Sequence, residues 1–240
     1  MKNLLLLSTS KVHGTNYLQY ATNEVKSFFR DNRVNEVLFI PYALKNHDKY
    51  LTTVKEGFDK YVGIKVESIH NREDPKKAVS EAQAVFVGGG NTFLLLKTLW
   101  EYGLVDIIRK RVLNGELVYM GSSAGTNVAT VSICTTNDMP IVYPPTFEAL
   151  GLVSFNINPH YIEPEVNSKH MGETREKRIG QYHELPGTPP VVGLREGSIM
   201  RISNKTIQLY GPHTAKVFIP NESPKECDEQ MLNDLLREYL

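Results

Sequence analysis

Residues 117–125 read Leu-Val-Tyr-Met-Gly-Ser-Ser-Ala-Gly, a short apolar run that ends directly in a turn of small residues. The same arrangement occurs at residues 84–91, which read Ala-Val-Phe-Val-Gly-Gly-Gly-Asn. Four consecutive apolar residues are typical of a strand buried on both faces, and glycine lets the chain turn sharply after it. These two segments therefore predict strands over Leu117–Met120 and Ala84–Val87, each followed by a helix.

Apolar runs and helical patterns alternate through the rest of the first half. The further predicted strands are Leu4–Leu7, Val37–Ile40 and Ile64–Ile69. Asp74-Pro75 is typical of a helix start, and Gly103 and Gly115 of helix ends. Repeated βα units with continuous apolar strands predict a doubly wound α/β fold, in which helices cover both faces of a mostly parallel sheet.

The second half of the chain has a different pattern. Residues 132–150 have the composition of a long loop, a helix is predicted from about Thr174, and a terminal helix from Lys225 to Tyr239. The predicted strands here are Val153–Ile157, Val191–Leu194, Ser198–Ile202 and Ile207–Leu209, with a hairpin turn at Ser203-Asn204-Lys205. Because no linker, repeat or low-complexity tract interrupts the chain, we expect residues 1–240 to form a single α/β domain.

Composition excludes several classes of protein. The 240 residues carry 27 Lys+Arg against 27 Asp+Glu, and 41% are hydrophobic, which argues against a disordered chain and against a nucleic-acid partner. Two cysteines, Cys134 and Cys227, are consistent with a reducing compartment, so the expected location is cytoplasmic. The run Leu4–Leu7 is shorter than the roughly 7–15 residues of a signal-peptide core, and no run reaches the roughly 18 of a membrane span.

The sharpest chemical signal is Gly121-Ser122-Ser123-Ala124-Gly125, a G-x-S-x-G motif placed between a strand and a helix. In a nucleophile elbow of this kind the middle serine, Ser123, points its hydroxyl into the crevice. The N–H of Ala124 would then face a developing oxyanion. The alternative is a glycine-rich turn with two structural hydroxyls.

A second signal is the loop Gly88-Gly89-Gly90-Asn91, which also follows a strand. Three glycines allow close approach of the backbone to a ligand, so the loop can cradle a phosphate or donate N–H groups to an oxyanion. It lacks the lysine of a phosphate-binding P-loop, which weakens the phosphate interpretation. A tight structural turn is the other interpretation.

Among the seven histidines, His160 is the best candidate for a general base, because Asn158-Pro159-His160 is predicted to end a strand at the crevice. No histidine or cysteine spacing predicts a metal site. A third group must orient the imidazole, which requires a carboxylate. Asp138, in the long loop, and Glu196, just after a predicted strand, both remain candidates.

Five motifs together resemble peptidase E, the α-aspartyl dipeptidase family, over residues 3 to about 220. They are Gly88–Phe93, Gly121–Asn127, Thr135–Val142, Asn158–His160 and Gly172–Glu176. The resemblance implies a serine peptidase with a fold like that of class I glutamine amidotransferases. It makes Ser123 the nucleophile and His160 the general base, with either Asp138 or Glu196 as the third member.

The resemblance also supplies the substrate, a small dipeptide with an N-terminal aspartate. Arg175 in Gly-Glu-Thr-Arg is the implied partner of the substrate carboxylate, and Asn91 is a second candidate for binding substrate. Gly89, Gly90 and Ala124 are the expected oxyanion donors, and no metal or other cofactor is required. A planar guanidinium matches a carboxylate with two hydrogen bonds, which suits this role.

Two other functions stay open at the level of sequence. One is a related serine hydrolase that acts on acidic polymers or β-aspartyl peptides. The other is a non-catalytic anion-binding protein on the same scaffold. Neither a nucleic acid nor a membrane is an expected partner, and both a monomer and a homodimer are compatible with the sequence.

Overall fold

The computed structural model describes residues 1–164, 169 and 171–240, and its largest element is a seven-stranded sheet in the order β3-β2-β4-β5-β1-β8-β9. Its strands are β1 (Asn3–Leu7), β2 (Glu36–Ile40), β3 (Lys65–Ser68), β4 (Ala84–Val87), β5 (Val118–Ser122), β8 (Ile199–Ser203) and β9 (Thr206–Tyr210). The first five strands are mutually parallel, whereas β8 pairs antiparallel with β1 and β9 pairs antiparallel with β8. The prediction of a mostly parallel sheet is confirmed.

Helices cover both faces of this sheet. The α-helices of the described residues are α1 (Thr22–Asp31), α2 (His47–Gly57), α3 (Pro75–Glu81), α4 (Thr92–Glu101), α5 (Val105–Leu113), α6 (Ala124–Asn127), α7 (Arg175–His183) and α8 (Glu229–Leu236). Of these, α7 packs elsewhere, through Ile179 against Val191 and Phe218. Alternate residues of β1 point to opposite faces: Leu4 and Leu6 pack with α4 and α5, while Leu5 and Leu7 pack with α1 and α2. Both faces of a central strand are thus buried, which explains its continuous apolar sequence.

Local signals placed several helix ends correctly. The Asp74 side chain accepts a hydrogen bond from the N–H of Lys77, so it caps α3 as predicted. Gly103 and Gly115 follow α4 and α5 with φ angles of 61° and 75°. Glycine tolerates such positive angles without the steric cost of a Cβ atom, so both helix ends are confirmed.

A second, four-stranded sheet in the order β11-β10-β7-β6 was not predicted from the sequence. It contains β6 (Asn156–Tyr161), β7 (Val191–Arg195), β10 (Ala215–Phe218) and β11 (Lys225–Cys227). β6 and β7 are parallel, and the other pairs are antiparallel. One cluster of buried side chains contains Leu4 of the first sheet together with Ile157 and Val217 of the second, so the two sheets share a core.

Two predicted elements require correction. The strand expected at Val153–Ile157 begins only at Asn156 and extends to Tyr161, so Asn158, Pro159 and His160 lie within it. β6 is an edge strand with polar residues and a proline, which an edge position tolerates, so its sequence lacks the apolar run. The terminal helix expected from Lys225 begins at Glu229, because Lys225–Cys227 pair with β10.

Residues 132–150 form a loop as predicted, with a single isolated bridge between Ser132 and Glu148. The hairpin turn at Ser203-Asn204-Lys205 joins β8 to β9, and Asn204 has a φ of 56°. Across the part of the chain that the structure describes, no helix has the length and apolar character needed to cross a bilayer.

Candidate active site

Ser123 lies in a sharp turn between β5 and α6. Its backbone angles are φ 53° and ψ −110°, an unfavourable conformation for a residue with a side chain. The Ser123 N–H donates to the Leu7 carbonyl at 3.0 Å, which holds the turn against β1. A Cβ on Gly121 would lie 2.5 Å from the Gly125 carbonyl oxygen, and one on Gly125 would overlap the Val87 carbonyl. The small residues of the motif are therefore sterically required.

The two adjacent hydroxyls of this turn occupy different environments. Ser122 is fully buried, and its Oγ has no hydrogen-bond partner among the described residues. Ser123 Oγ lies 2.8 Å from Nε2 of His160. Only Ser123 is thus placed next to a base.

His160 lies on a bulge in β6. The β6–β7 register shifts between Pro159 and Tyr161, so His160 is the extra residue, and its φ is 54°. Its Nδ1 is 2.6 Å from Oε1 of Glu196, the residue that follows β7. The side chains of His160 and Glu196 are 34% and 53% exposed, so the pair lies at the solvent-facing edge of the sheets.

Asp138 is not placed next to His160 by hydrogen bonding. Its Oδ2 accepts hydrogen bonds from the N–H of Thr92 at 2.7 Å and from the Thr92 hydroxyl at 2.6 Å. Thr92 is the first residue of α4, and the N–H groups in the first turn of a helix have no acceptor within the helix. The structure therefore brings Ser123, His160 and Glu196 together, and uses Asp138 to hold the start of α4.

The glycine loop after β4 lies directly against Ser123. A Cβ on Gly89 would be 3.0 Å from Cβ of Ser123. Within this loop the Gly88 N–H donates to the Ile40 carbonyl and the Asn91 N–H donates to the Ala43 carbonyl. The N–H groups of Gly89 and Gly90 have no backbone acceptor among the described residues.

The Asn91 side chain is engaged within the protein. Its Oδ1 accepts from the N–H of Leu94 at 3.0 Å, which caps α4, and its Nδ2 donates to the Met139 carbonyl at 2.8 Å. Asn91 was predicted to bind substrate, whereas these contacts fix the glycine loop to the long loop. The same cap explains why an asparagine follows the three glycines.

Buried amides fasten the long loop to β6. Asn158 Nδ2 donates to the Thr135 carbonyl and to Oδ1 of Asn137, each at 2.8 Å. Asn137 in turn donates to the Pro159 carbonyl at 2.7 Å. These bonds satisfy the outer edge of β6, the strand that carries His160, and they give the polar sequence of residues 135–137 a structural role.

Arg175, the first residue of α7, lines a cleft with Asn137, Asn158, Arg178 and Tyr182. Its Nε is buried and has no hydrogen-bond partner among the described residues. Burial lowers the pKa of the Arg175 guanidinium, and the positive charge of Arg178 lowers it further. The cleft thus presents two guanidinium groups beside Asn158 of β6, an arrangement that favours an anionic ligand.

Arg195 supports the residue next to it, Glu196. Its guanidinium donates to Glu163 at 2.6 Å and to Glu226 at 2.7 Å, and it lies 5.5 Å from the ring centre of Tyr161. These contacts, the hydrogen bond to Glu226 first, raise the pKa of Arg195. The neighbours of both His160 and Glu196 are therefore held by one charged network.

Sequence reasoning did not single out Ser8, Asn158, Arg178 or Arg195. Ser8 carried a usable signal, because a polar residue directly after a buried parallel strand lies at the same edge as the crevice. The other three depend on the second sheet and on α7, whose placement no local pattern indicated. Within the described residues, no group of three or more His, Cys, Asp and Glu is arranged to hold a metal ion.

Comparison with known proteins gives consistent matches. The model of "Peptidase family S51" matches residues 4–210. A Drosophila melanogaster protein named "Probable alpha-aspartyl dipeptidase" is 52% identical over 217 residues, covering 90% of each chain. A Streptomyces coelicolor protein named "Peptidase E" is 48% identical, covering 93% of this chain and 90% of its own.

A solved structure of a peptidase from an acI-B1 actinobacterium resembles this chain in fold. It superposes with a TM-score of 0.67 at 18% identity, covering 95% of this chain and 96% of its own. At that identity the likeness concerns the fold alone.

Proposed function

The chain belongs to peptidase family S51, and from that membership we propose that it is a serine dipeptidase that hydrolyses Asp-X dipeptides through an acyl-enzyme on Ser123. The observation that carries this proposal is the chain of short contacts from Ser123 Oγ through the His160 ring to Glu196. Glu196, rather than Asp138, is the proposed third member, because Asp138 is engaged by Thr92.

The proposed first step is acylation. With Nδ1–H donated to Glu196, Nε2 of His160 accepts the Ser123 proton as Oγ attacks the carbonyl carbon of the aspartyl residue. The imidazolium then gives this proton to the leaving amine, and the peptide C–N bond breaks. Water attacks the ester by the same route, which releases aspartate and restores the Ser123 hydroxyl.

Two N–H groups are proposed to bind the oxyanion. The Ala124 N–H is the first of α6, where helical N–H groups have no partner in the preceding turn. The second donor is an N–H of the glycine loop, where those of Gly89 and Gly90 have no backbone acceptor among the described residues. Gly89 lies close to Ser123, since a Cβ on Gly89 would be 3.0 Å from the Ser123 Cβ.

Selectivity for an N-terminal aspartate is proposed to come from Arg175. A carboxylate entering the cleft would pair with the partly buried Arg175 guanidinium, whose Nε has no hydrogen-bond partner among the described residues. When a substrate lacks the carboxylate, the buried guanidinium is left without a partner, which costs binding free energy. Such a site therefore discriminates between side chains more strongly than an apolar pocket discriminates between two substrates that differ by one methylene. No cofactor takes part in this scheme.

The proposed setting follows from the composition. Cys134 and Cys227 are both unpaired, which supports a cytoplasmic location. Zero formal net charge gives no support to a nucleic-acid partner, and the proposed partner is a small acidic dipeptide. A monomer and a homodimer both remain predictions.

The test measures aspartate release from Asp-Leu beside Ala-Leu, Glu-Leu and Asp-Leu-Gly. We expect Asp-Leu to be cleaved far faster than the other three peptides, and Ser123→Ala should lower kcat at least about a thousandfold. Ser122→Ala is the matched control, since it removes the neighbouring buried hydroxyl, which has no described partner. Near-normal turnover by Ser123→Ala, or equal losses in both variants, would exclude Ser123 as the nucleophile.

A further inference from the structure

Ser8 connects the two sheets at the position of His160. It follows β1 of the seven-stranded sheet and is fully buried. Its Oγ accepts a hydrogen bond from the His160 N–H at 2.9 Å and donates one to the Leu194 carbonyl at 2.8 Å. Leu194 belongs to β7, two residues before Glu196. One hydroxyl therefore contacts the backbones of both strands that carry the base and its carboxylate.

The bulge in β6 creates the need for this contact. Because His160 is the extra residue, its N–H has no place in the ladder with β7, while Pro159 pairs with Leu194 and Tyr161 with Arg195. The positive φ of 54° is unfavourable for histidine and persists only where its surroundings hold it. Ser8 supplies the acceptor that a buried N–H requires.

The residue before Ser8 performs the matching task for the nucleophile. The Leu7 carbonyl accepts hydrogen bonds from the Ser123 N–H at 3.0 Å and from the Thr126 hydroxyl at 2.6 Å. The carboxyl end of β1 is thus hydrogen-bonded to the elbow through Leu7 and to the bulge through Ser8. Leu7 and Ser8 therefore hold the backbones of Ser123 and His160, and these two backbones set the distance between the Ser123 and His160 side chains.

We propose that Ser8 is a positioning residue, whose hydroxyl fixes the positive-φ backbone of His160 so that Nε2 stays within hydrogen-bond distance of Ser123 Oγ. This inference rests on the proposed function of Ser123 and His160. Without the hydroxyl, the His160 N–H and the Leu194 carbonyl lose their common partner, and the bulge can relax. A displacement of about 1 Å between reacting groups can lower a rate about a hundredfold.

Three variants test the proposal. Ser8→Ala removes the hydroxyl, and Ser8→Thr keeps it. Ser198→Ala is the matched control, because Ser198 is a second fully buried serine whose Oγ has no partner among the described residues. For each variant we would measure kcat and KM on Asp-Leu, the thermal unfolding midpoint, and the rate and final stoichiometry with which a fluorophosphonate labels Ser123.

We expect Ser8→Ala to lower kcat and the labelling rate by about 10- to 100-fold, with KM within about threefold of wild type. Labelling should still reach one probe per chain, because the site is displaced in every molecule rather than lost from some. On a logarithmic scale, Ser8→Thr should recover at least half of the loss in kcat and in labelling rate that Ser8→Ala causes. Ser198→Ala should keep both rates within about twofold of wild type.

The proposal is overturned if Ser8→Ala keeps wild-type kcat and labelling rate, or if Ser8→Thr is as slow as Ser8→Ala. It is also overturned if the loss of kcat equals the loss of labelling stoichiometry, since that result indicates partial unfolding. Failure of the wild-type protein to cleave Asp-Leu would instead refute the proposed substrate. In that case the labelling rate of Ser123 still measures the effect of Ser8, so the two failures are distinguishable.

Discussion

Glu196→Gln and Asp138→Asn should have opposite consequences, although both exchange a carboxylate for an amide close to the proposed catalytic residues. Glu196 contacts the His160 ring at 2.6 Å, whereas Asp138 accepts two hydrogen bonds from Thr92. The first contact acts on the proton transfer. The second fixes the start of α4, a structural position.

The expected magnitudes follow from these contacts. An amide in a buried triad lowers kcat by about ten-thousandfold, because it favours the wrong imidazole tautomer. The Glu196 side chain is 53% exposed, so water screens its charge and reduces its effect on His160. We therefore expect Glu196→Gln to lower kcat by about 100- to 1000-fold, which corresponds to about 2.7–4.1 kcal/mol of transition-state stabilisation. The free energy of unfolding of Glu196→Gln should differ from that of the wild type by less than about 1 kcal/mol.

Asp138→Asn should show the reverse pattern. An amide oxygen cannot replace an ionised oxygen that accepts from both the N–H and the hydroxyl of Thr92, and hydrogen bonds to a charged group contribute about 1.5–3 kcal/mol each. We expect unfolding to become easier by about 1–3 kcal/mol, with kcat reduced less than about tenfold. Some loss of kcat is expected because α4 begins directly after the glycine loop.

The assay combines steady-state kinetics on Asp-Leu with urea unfolding of the wild type and both variants. A larger kcat loss in Asp138→Asn than in Glu196→Gln would refute this assignment and make Asp138 the partner of His160. Comparable losses of stability in the two variants would contradict the structural role given to Asp138.

Three further predictions concern specificity, packing and pH. Arg175→Ala should lower kcat/KM on Asp-Leu by about 100- to 1000-fold, because the substrate carboxylate loses a charged hydrogen-bonded partner. The slow cleavage of Ala-Leu should stay within about threefold of the wild-type rate, and equal losses on both dipeptides would contradict a specificity role. Gly125→Ala should destabilise the protein by about 3 kcal/mol or prevent folding, because its Cβ would overlap the Val87 carbonyl, and a wild-type melting midpoint would disprove this steric reason. The hydrogen bond from Arg195 holds the pKa of Glu226 below its ordinary value of 4.5, so this pair stabilises the fold above about pH 4.5 and loses that contribution as pH falls through the lowered pKa. Glu226→Gln should therefore reduce the loss of stability at acid pH by less than about 1 kcal/mol, since Glu226 is half exposed. If the free energy of unfolding of this variant falls with pH as it does in the wild type, the Arg195–Glu226 pair does not contribute to that dependence.

The parallel core and the elbow were predictable because their causes are local. Strands buried on both faces require uninterrupted apolar runs, and the predicted strand Ala84–Val87 has the same limits in the structure. The turn after β5 requires small residues at Gly121 and Gly125, which is a steric demand visible in the motif itself. The sequence also predicted the long loop, since residues 132–150 have no periodic pattern.

The second sheet could not be predicted in the same way. β6 lies at an edge, where Asn137 of the long loop donates to the Pro159 carbonyl and Asn158 donates to the Thr135 carbonyl, so a strand with Asn158 and Pro159 carries no apolar signal. Glu196 follows β7, whose register against β6 brings it to His160. That register depends on contacts distant in sequence, which is why local reasoning left Glu196 and Asp138 as equal candidates.

The proposed catalytic groups are divided unequally between the sheets. Ser123 directly follows β5 of the seven-stranded sheet, whereas His160 lies in β6 and Glu196 directly follows β7, two neighbouring strands of the other sheet. The His160–Glu196 pair is therefore fixed by a single ladder, but the 2.8 Å contact from Ser123 to His160 spans two sheets joined by side-chain packing and by Ser8. Substitutions in the shared core should consequently disturb proton transfer from Ser123 before they disturb the orientation of the imidazole by Glu196.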